Sequence, residues 1–395
     1  MLDVNYFFHG TRIIEGCGVL NQVGDEAKAL NAKKALIVTD AFLSKTEFYE
    51  TIKNSLENAG VQAVLGTNVK PNPRATDCDE MAKMAKGEGV DLVIAFGGGS
   101  AMDQAKTVAS LLTNGKTAVE WGDVELENNI MPLFCIPTTS GTGSEVTFCA
   151  VITDEKRHYK MTVGDPVHMI PTLAICDPEV TLNLPKPLTA ACGVDALTHA
   201  IEAYTVKVHQ PLTNALALKS ISMISENLVL AYEDGQNREA RRNMMIASTM
   251  AGMAFISSNV GAVHAIAETV GAWFDTPHGV ANSLFLPYVM EYNIPACTNR
   301  FVDVSKALGV VRKEGMTDFD YAIAGVEFIK ELNRKLNIPT LKDLSEISVD
   351  KFEQIAKKSA ANVLSNDNAK DIGEDEYLEI LNKAYMGYEK ICENA

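Results

Sequence analysis

Between residues 34 and 137 the chain repeats one pattern: a short β-branched apolar run, a turn, then a segment with helical spacing. Strands are predicted over residues 34–39, 61–66, 91–97 and 133–136, and helices over 45–58, 76–87 and 101–114. Strand-helix alternation of this kind specifies a parallel, doubly wound sheet, whose ligands lie at the carboxyl ends of the strands. Asp40, Asn72 and Gly97 all stand at such ends.

Two loops at these ends are built for close approach to a ligand. Gly97, Gly98, Gly99 and Ser100 follow an apolar strand and open a helix, so backbone amides and the helix dipole face an anion such as a pyrophosphate. The plain alternative is a tight strand-to-helix turn, because this is not the GxGxxG fingerprint. The second loop, PTTSGTGSE over residues 137–145, is crowded with hydroxyl and glycine residues that cradle phosphate or ribose. Together the loops predict dinucleotide binding. Asp40 is placed to accept from an adenosine ribose and to repel a 2′-phosphate, favouring NAD(H) over NADP(H), unless it serves only as a helix N-cap.

The second half carries different chemistry. In GVDALTHAIEAY, Asp195 and His199 stand four residues apart in an apolar, helix-patterned segment and share one face. In GAVHAIAETVGAWFDTPHGVAN, His264 lies in a second helical pattern and His278 follows a Thr-Pro turn. Three of the chain's seven histidines fall in this stretch. Each alone reads more readily as a hydrogen-bonded core or surface histidine; with Asp195 and the nucleotide-binding loops they read as one divalent-metal site.

Composition removes other classes. A net charge of -16 repels nucleic acid and anionic lipid, so small molecules are the expected partners. No run reaches the length of a membrane span and the first residues lack a signal-peptide pattern. The eight scattered cysteines read as reduced thiols, and a cytoplasmic location is expected.

The chain resembles the iron-containing (group III) alcohol dehydrogenases. The matching text is VTD at 38–40, KPNP at 70–73, GGGSAMDQAK at 97–106, IPTTSGTGSEVT at 136–147, ITD at 152–154, GVDALTHAIEAY at 193–204 and PHGVAN at 277–282. The resemblance implies an α/β dinucleotide-binding domain with a parallel sheet over residues 1–185. It implies an all-helical metal-binding domain over 186–395 and a cleft between the two, the architecture also found in dehydroquinate synthase. It implies metal ligation by Asp195, His199, His264 and His278. Cofactor contacts carry over to Asp40, Asn72, Gly97, Gly98, Gly99, Ser100, Asp103, Thr138, Thr139, Ser140, Thr142, Thr147 and Lys160. Phe148 and Phe255 resemble the family's substrate-pocket wall, although each is also an ordinary core position. The ion implied is Fe2+, with Zn2+ equally suited to the ligand types.

One position departs from the family. Where its members commonly show a second histidine one turn after the third ligand, this chain has Glu268. Three readings stand: a proton relay, a group that binds a polar part of the substrate, or a solvated carboxylate. The reaction expected is hydride transfer between NAD(H) and a short-chain alcohol or aldehyde, the metal acting as Lewis acid. Reduction of an acidic aldehyde, its tail met by Arg157, His158 or Lys160, is one alternative. A lyase of the dehydroquinate synthase type is another, though this acidic chain shows no basic cluster for a phosphorylated substrate. A strand over residues 4–14 is expected at a sheet edge, where it pairs with another subunit in a homodimer or larger assembly.

Overall fold

The computed structural model describes residues 6–122, 124–157, 159–344 and 346–387. The chain divides into two units, Phe8–Leu184 and, from Pro185 onward, a second that also takes in Tyr6 and Phe7.

The first unit contains β1 (Arg12–Glu15), β2 (Lys34–Val38), β3 (Gln62–Gly66), β4 (Leu92–Gly97), β5 (Leu133–Pro137), β6 (Cys149–Asp154), β7 (Tyr159–Gly164) and β8 (Leu173–Cys176). Its helices are α1 (Val23–Ala29), α2 (Glu47–Asn58), α3 (Ala75–Glu88) and α4 (Gly99–Asn114). Six strands form a parallel sheet in the order β1-β8-β5-β4-β2-β3. Strands β4 and β5 are buried along their whole length, which explains their near-continuous Leu, Val, Ile and Phe content. From β2 the chain runs outward to β3, then returns to place β4 on the other side of β2. The order therefore reverses between β2 and β4, and Asp40 and Gly97 stand at the carboxyl ends flanking that switch point.

Two features differ from the sequence expectation. The amino-terminal strand covers only Arg12–Glu15 rather than 4–14: its partner β8 is four residues long and offers no ladder beyond it. Residues Tyr6 to Thr11 are not strand, and Val4 and Asn5 lie outside the described residues. In addition, β6 and β7 form a separate antiparallel ribbon, unforeseen in the sequence, that carries Lys160.

The second unit is helical: α5 (Lys186–Thr205), α6 (Pro211–Glu233), α7 (Arg238–Ser258), α8 (Ala262–Phe274), α9 (His278–Ala307), α10 (Asp318–Lys335), α11 (Phe352–Ala360) and α12 (Glu374–Met386). Pro187 in the first turn of α5 is a helix start, since its missing N–H has no intrahelical partner there. From Thr189 onward α5 is buried nearly throughout and forms the centre of the core with α6, α7 and α9. Between α7 and α8 the chain turns through 101° at Asn259, whose φ is positive (68°) with ψ -177°. Among the described residues no single helix is long and apolar enough to cross a membrane.

Candidate metal centre and dinucleotide site

Three helices converge on the histidines. Helix α5 supplies Asp195 and His199, α8 supplies His264, and His278 opens α9. One donor atom from each of the four lies within 4.8 Å of all the others. Asp195, His199 and His264 are buried, while the His278 side chain keeps 40% of its exposure and opens the cluster on one side. The His199 and His264 rings are 4.5 Å apart and those of His264 and His278 are 5.4 Å apart.

Two residues that the sequence did not single out hold this cluster. Glu202, on the Asp195–His199 face of α5, places Oε2 2.5 Å from His264 Nδ1 and accepts from the Val263 amide through Oε1 at 2.8 Å. One carboxylate thus caps the start of α8 and fixes the His264 ring, turning Nε2 toward the other donors. Asn282, one turn after His278, donates through Nδ2 to Asp195 Oδ1 at 2.6 Å and lies 3.1 Å from both His264 Nε2 and His278 Nε2. A signal for both existed in their spacing, three residues after His199 and four after His278, but which partners they reach depends on the packing of the helices.

The electrostatics follow from this packing. Burial pushes the Asp195 carboxyl up, but His199, His278, His264 and the Asn282 hydrogen bond outweigh it and hold Asp195 below the usual carboxylate range. Burial pushes His264 down, and the hydrogen bond and charge of Glu202, with Asp195 and Glu268, outweigh that and raise it. An anionic oxygen beside three imidazoles in a buried pocket is a donor set suited to Fe2+ or Zn2+. The buried Asn282 Oδ1, which has no hydrogen-bond partner among the described residues, points the same way: it is a polar atom that a cation nearby can satisfy. The residues therefore fit a divalent ion.

Gly279 is required where α9 starts. A Cβ there would lie 2.5 Å from the Ala191 carbonyl oxygen and 2.9 Å from its carbon, backbone atoms that cannot rotate away. Gly279→Ala is expected to push the first turn of α9, and His278 with it, off α5. The expected cost is about 1–3 kcal/mol of stability and weaker metal binding. Denaturant unfolding and metal titration check this; unchanged metal affinity contradicts it.

In the first unit the two loops pack on each other. A Cβ on Gly98 would meet the Thr139 side chain at 3.3 Å, and one on Gly99 would meet Thr142 Cγ2 at 2.9 Å. The Thr138 amide donates to Gly97 O at 3.0 Å, so Gly97–Ser100 and Thr138–Thr142 form one surface, with Ser140 buried in it. Beneath it Lys106, fully buried, donates to Ser144 Oγ, Thr147 Oγ1 and Cys149 O, each at 2.8 Å. Asp103 accepts from Ser144 Oγ and the Val151 amide. Asp103 and Thr147 thus tie α4 to the second loop, and their side chains are turned to that task. Asn72, at φ 54°, accepts from Lys160 Nζ at 2.9 Å, so these two cofactor candidates come together. Asp40 Oδ1 accepts from the Phe42 and Leu43 amides, the capping role, while Oδ2 makes no hydrogen bond among the described residues. The capping and ribose readings are compatible, since they use different oxygens.

Of the aromatic candidates, Phe255 stacks on His199 with centroids 4.4 Å apart. Phe148 packs edge-on against Phe8. Arg157 is drawn onto Asp154, and His158 lies outside the described residues.

Comparison with known proteins is consistent over both units. The family model described as iron-containing alcohol dehydrogenase matches residues 10–178, and the Fe-containing alcohol dehydrogenase family C-terminal model matches 189–385. A choline dehydrogenase of Bacillus subtilis (strain 168) is 37% identical over 95% of this chain and 94% of its own. An NAD-dependent methanol dehydrogenase of Bacillus methanolicus is 35% identical over 96% and 99%. The crystal structure of a 1,3-propanediol oxidoreductase superposes with a TM-score of 0.94 at 33% identity, covering 97% of this chain and all of that one. These are dehydrogenases, and nothing among them supports the lyase alternative. The chain belongs to the iron-containing alcohol dehydrogenase family and is an oxidoreductase of alcohols and aldehydes.

Proposed function

We propose that the protein is an NAD-dependent, iron-type dehydrogenase that interconverts short-chain alcohols and aldehydes in the cytoplasm, as a homodimer or larger homo-oligomer. The observation that carries this reading is the convergence of Asp195, His199, His264 and His278 within 4.8 Å in a chain of this family. When bound, a divalent ion supplies Lewis acidity to the alcohol or carbonyl oxygen and NAD(H) accepts or returns the hydride. Asp195 provides the anionic donor, and the three imidazoles provide neutral ones. Glu202 and Asn282 hold His264 and Asp195 in place. Phe255, stacked on His199, excludes water beside the donors. Gly97–Ser100 and Thr138–Thr142 offer amides and hydroxyls to the pyrophosphate, Asp40 Oδ2 accepts from the ribose, and Asn72 and Lys160 act as one hydrogen-bonded pair. Cytoplasmic action suits the eight scattered cysteines, which form no CxxC pair or short secreted framework in the sequence. Strand β1 at the sheet edge offers backbone groups to a second subunit.

The test is a panel of short alcohols and aldehydes followed at the reduced-nicotinamide absorbance, with NAD(H) and NADP(H), on enzyme loaded separately with Fe2+ and Zn2+. Turnover that chelation abolishes supports the reading; no turnover with any substrate, or indifference to complete metal removal, defeats it. Asp40→Asn retains an oxygen for the Phe42 and Leu43 amides and removes the charge. It is expected to raise the kcat/KM for NADP+ relative to NAD+ about tenfold; an unchanged ratio refutes the role given to Asp40. For the acidic-aldehyde alternative, Arg157 is paired with Asp154, whereas Lys160 donates to the neutral Asn72 and keeps its charge; acidic aldehydes in the same panel test it.

A further inference from the structure

We infer that Glu268 selects alcohols that carry a cationic group close to the reacting hydroxyl, acting as the counter-charge to an ammonium two or three carbons away. The inference rests on the proposed dehydrogenase reading and adds its substrate class.

Glu268 is on α8 one turn after His264, so both side chains project from the same face. It is partly buried. Asn362 Nδ2 donates to its Oε2 at 2.9 Å. That amide is itself fixed, because Asn362 Oδ1 accepts from the Leu364 backbone at 3.0 Å. The carboxylate is therefore held in one orientation. Its Oε1 has no hydrogen-bond partner among the described residues, and no Lys, Arg or His forms an ion pair with it there. A carboxylate oxygen that makes no hydrogen bond of its own is available to a bound cation.

The neighbouring charges agree in sign. Asp195, Glu202 and Glu268 are three carboxylates around a site proposed to hold one divalent ion, which leaves one negative charge in excess. Glu268 stands one helical turn from His264 on the same face, which places its charge within reach of the donors. Phe255 adds an aromatic ring beside them, a surface that ammonium groups favour over aliphatic walls. Side chains one helical turn apart are separated by about 5–6 Å at Cβ, a span that a two- or three-carbon amino alcohol covers when its hydroxyl is at the donors. An anionic tail meets repulsion in the same position.

The test compares choline with 3,3-dimethyl-1-butanol, which has the same shape with a carbon in place of the charged nitrogen. Both are assayed with NAD+ on the metal-loaded wild type, Glu268→Gln and Asn362→Ala, and choline binding is measured separately by calorimetry. The ratio of kcat/KM for choline to that for the neutral alcohol is expected to exceed one in the wild type. It is expected to fall roughly tenfold in Glu268→Gln, and by less but in the same direction in Asn362→Ala, with choline affinity falling in parallel. A ratio that Glu268→Gln leaves unchanged overturns the inference, including the case in which both substrates lose rate together, the signature of proton transfer rather than selection. Turnover of neutral alcohols with a charge-blind ratio defeats this inference alone. Absence of turnover with every alcohol and both cofactors defeats the dehydrogenase reading with it.

Discussion

Asp195→Asn and His264→Ala are expected to lower kcat/KM by about a thousandfold or more, and to lose bound metal, while the fold persists. The Lewis-acid contribution of a catalytic ion is several kcal/mol, and about 4 kcal/mol corresponds to three decades in rate. Asp195 is the site's anionic donor among the four and is held in that state against burial by three imidazoles and the Asn282 amide. The asparagine preserves its shape and removes its charge, so the loss reports on charge rather than on packing. His264 stands at the centre of the cluster, with His199 and His278 on either side. Metal content by mass spectrometry and rates at saturating Fe2+ check the expectation, with circular dichroism confirming the fold. Either variant retaining metal and a rate within threefold of wild type removes the four residues from the catalytic role proposed for them.

Glu202→Gln is the second large effect, and it acts through another residue. The Glu202 carboxylate accepts at both oxygens, from His264 Nδ1 and from the Val263 amide. Hydrogen on Nδ1 leaves the Nε2 lone pair available to a cation. A glutamine offers one acceptor and one NH2. If its oxygen stays on the Val263 amide, its NH2 faces Nδ1 and favours the tautomer with hydrogen on Nε2, which blocks ligation. The expected result is a metal affinity reduced about 10- to 100-fold, with activity returning at high metal concentration. Competition against a chromophoric chelator measures the affinity directly. A loss of stability with unchanged metal affinity assigns Glu202 to capping α8 alone.

The two effects also differ in how each residue could be found. Asp195 and His199 were visible because ligands four apart on a helix share a face whatever else the chain does. His264 and His278 were visible by residue type and resemblance, yet their distance from Asp195 was not. Asn282 and Glu202 carry no motif of their own, and their importance comes from partners 87 and 62 residues away. Glu268 was conspicuous, but its readings could not be separated until Asn362, 94 residues later, was seen to hold one oxygen and leave the other open. In the first unit the buried strands were legible because apolar runs of that length suit a sheet covered on both faces. The short β1 and the β6–β7 ribbon were not, since alternation within a segment is silent about the length of its partner.

By itself the sequence determined the local units of this protein: the parallel sheet, the glycine turns at its strand ends, the helical second half, and the pairing of Asp195 with His199. These follow from steric and periodic rules that act over a few residues. Only the tertiary structure decided which oxygen of Asp40 caps a turn, that Asp103, Lys106 and Thr147 brace the loops from beneath, and that Glu202 and Asn282 orient the metal donors. It alone decided that Glu268 is anchored without a counter-ion. The physical reason is that buried hydrogen bonds and charges find partners through the packing of distant helices, and no spacing within one segment specifies which partner arrives.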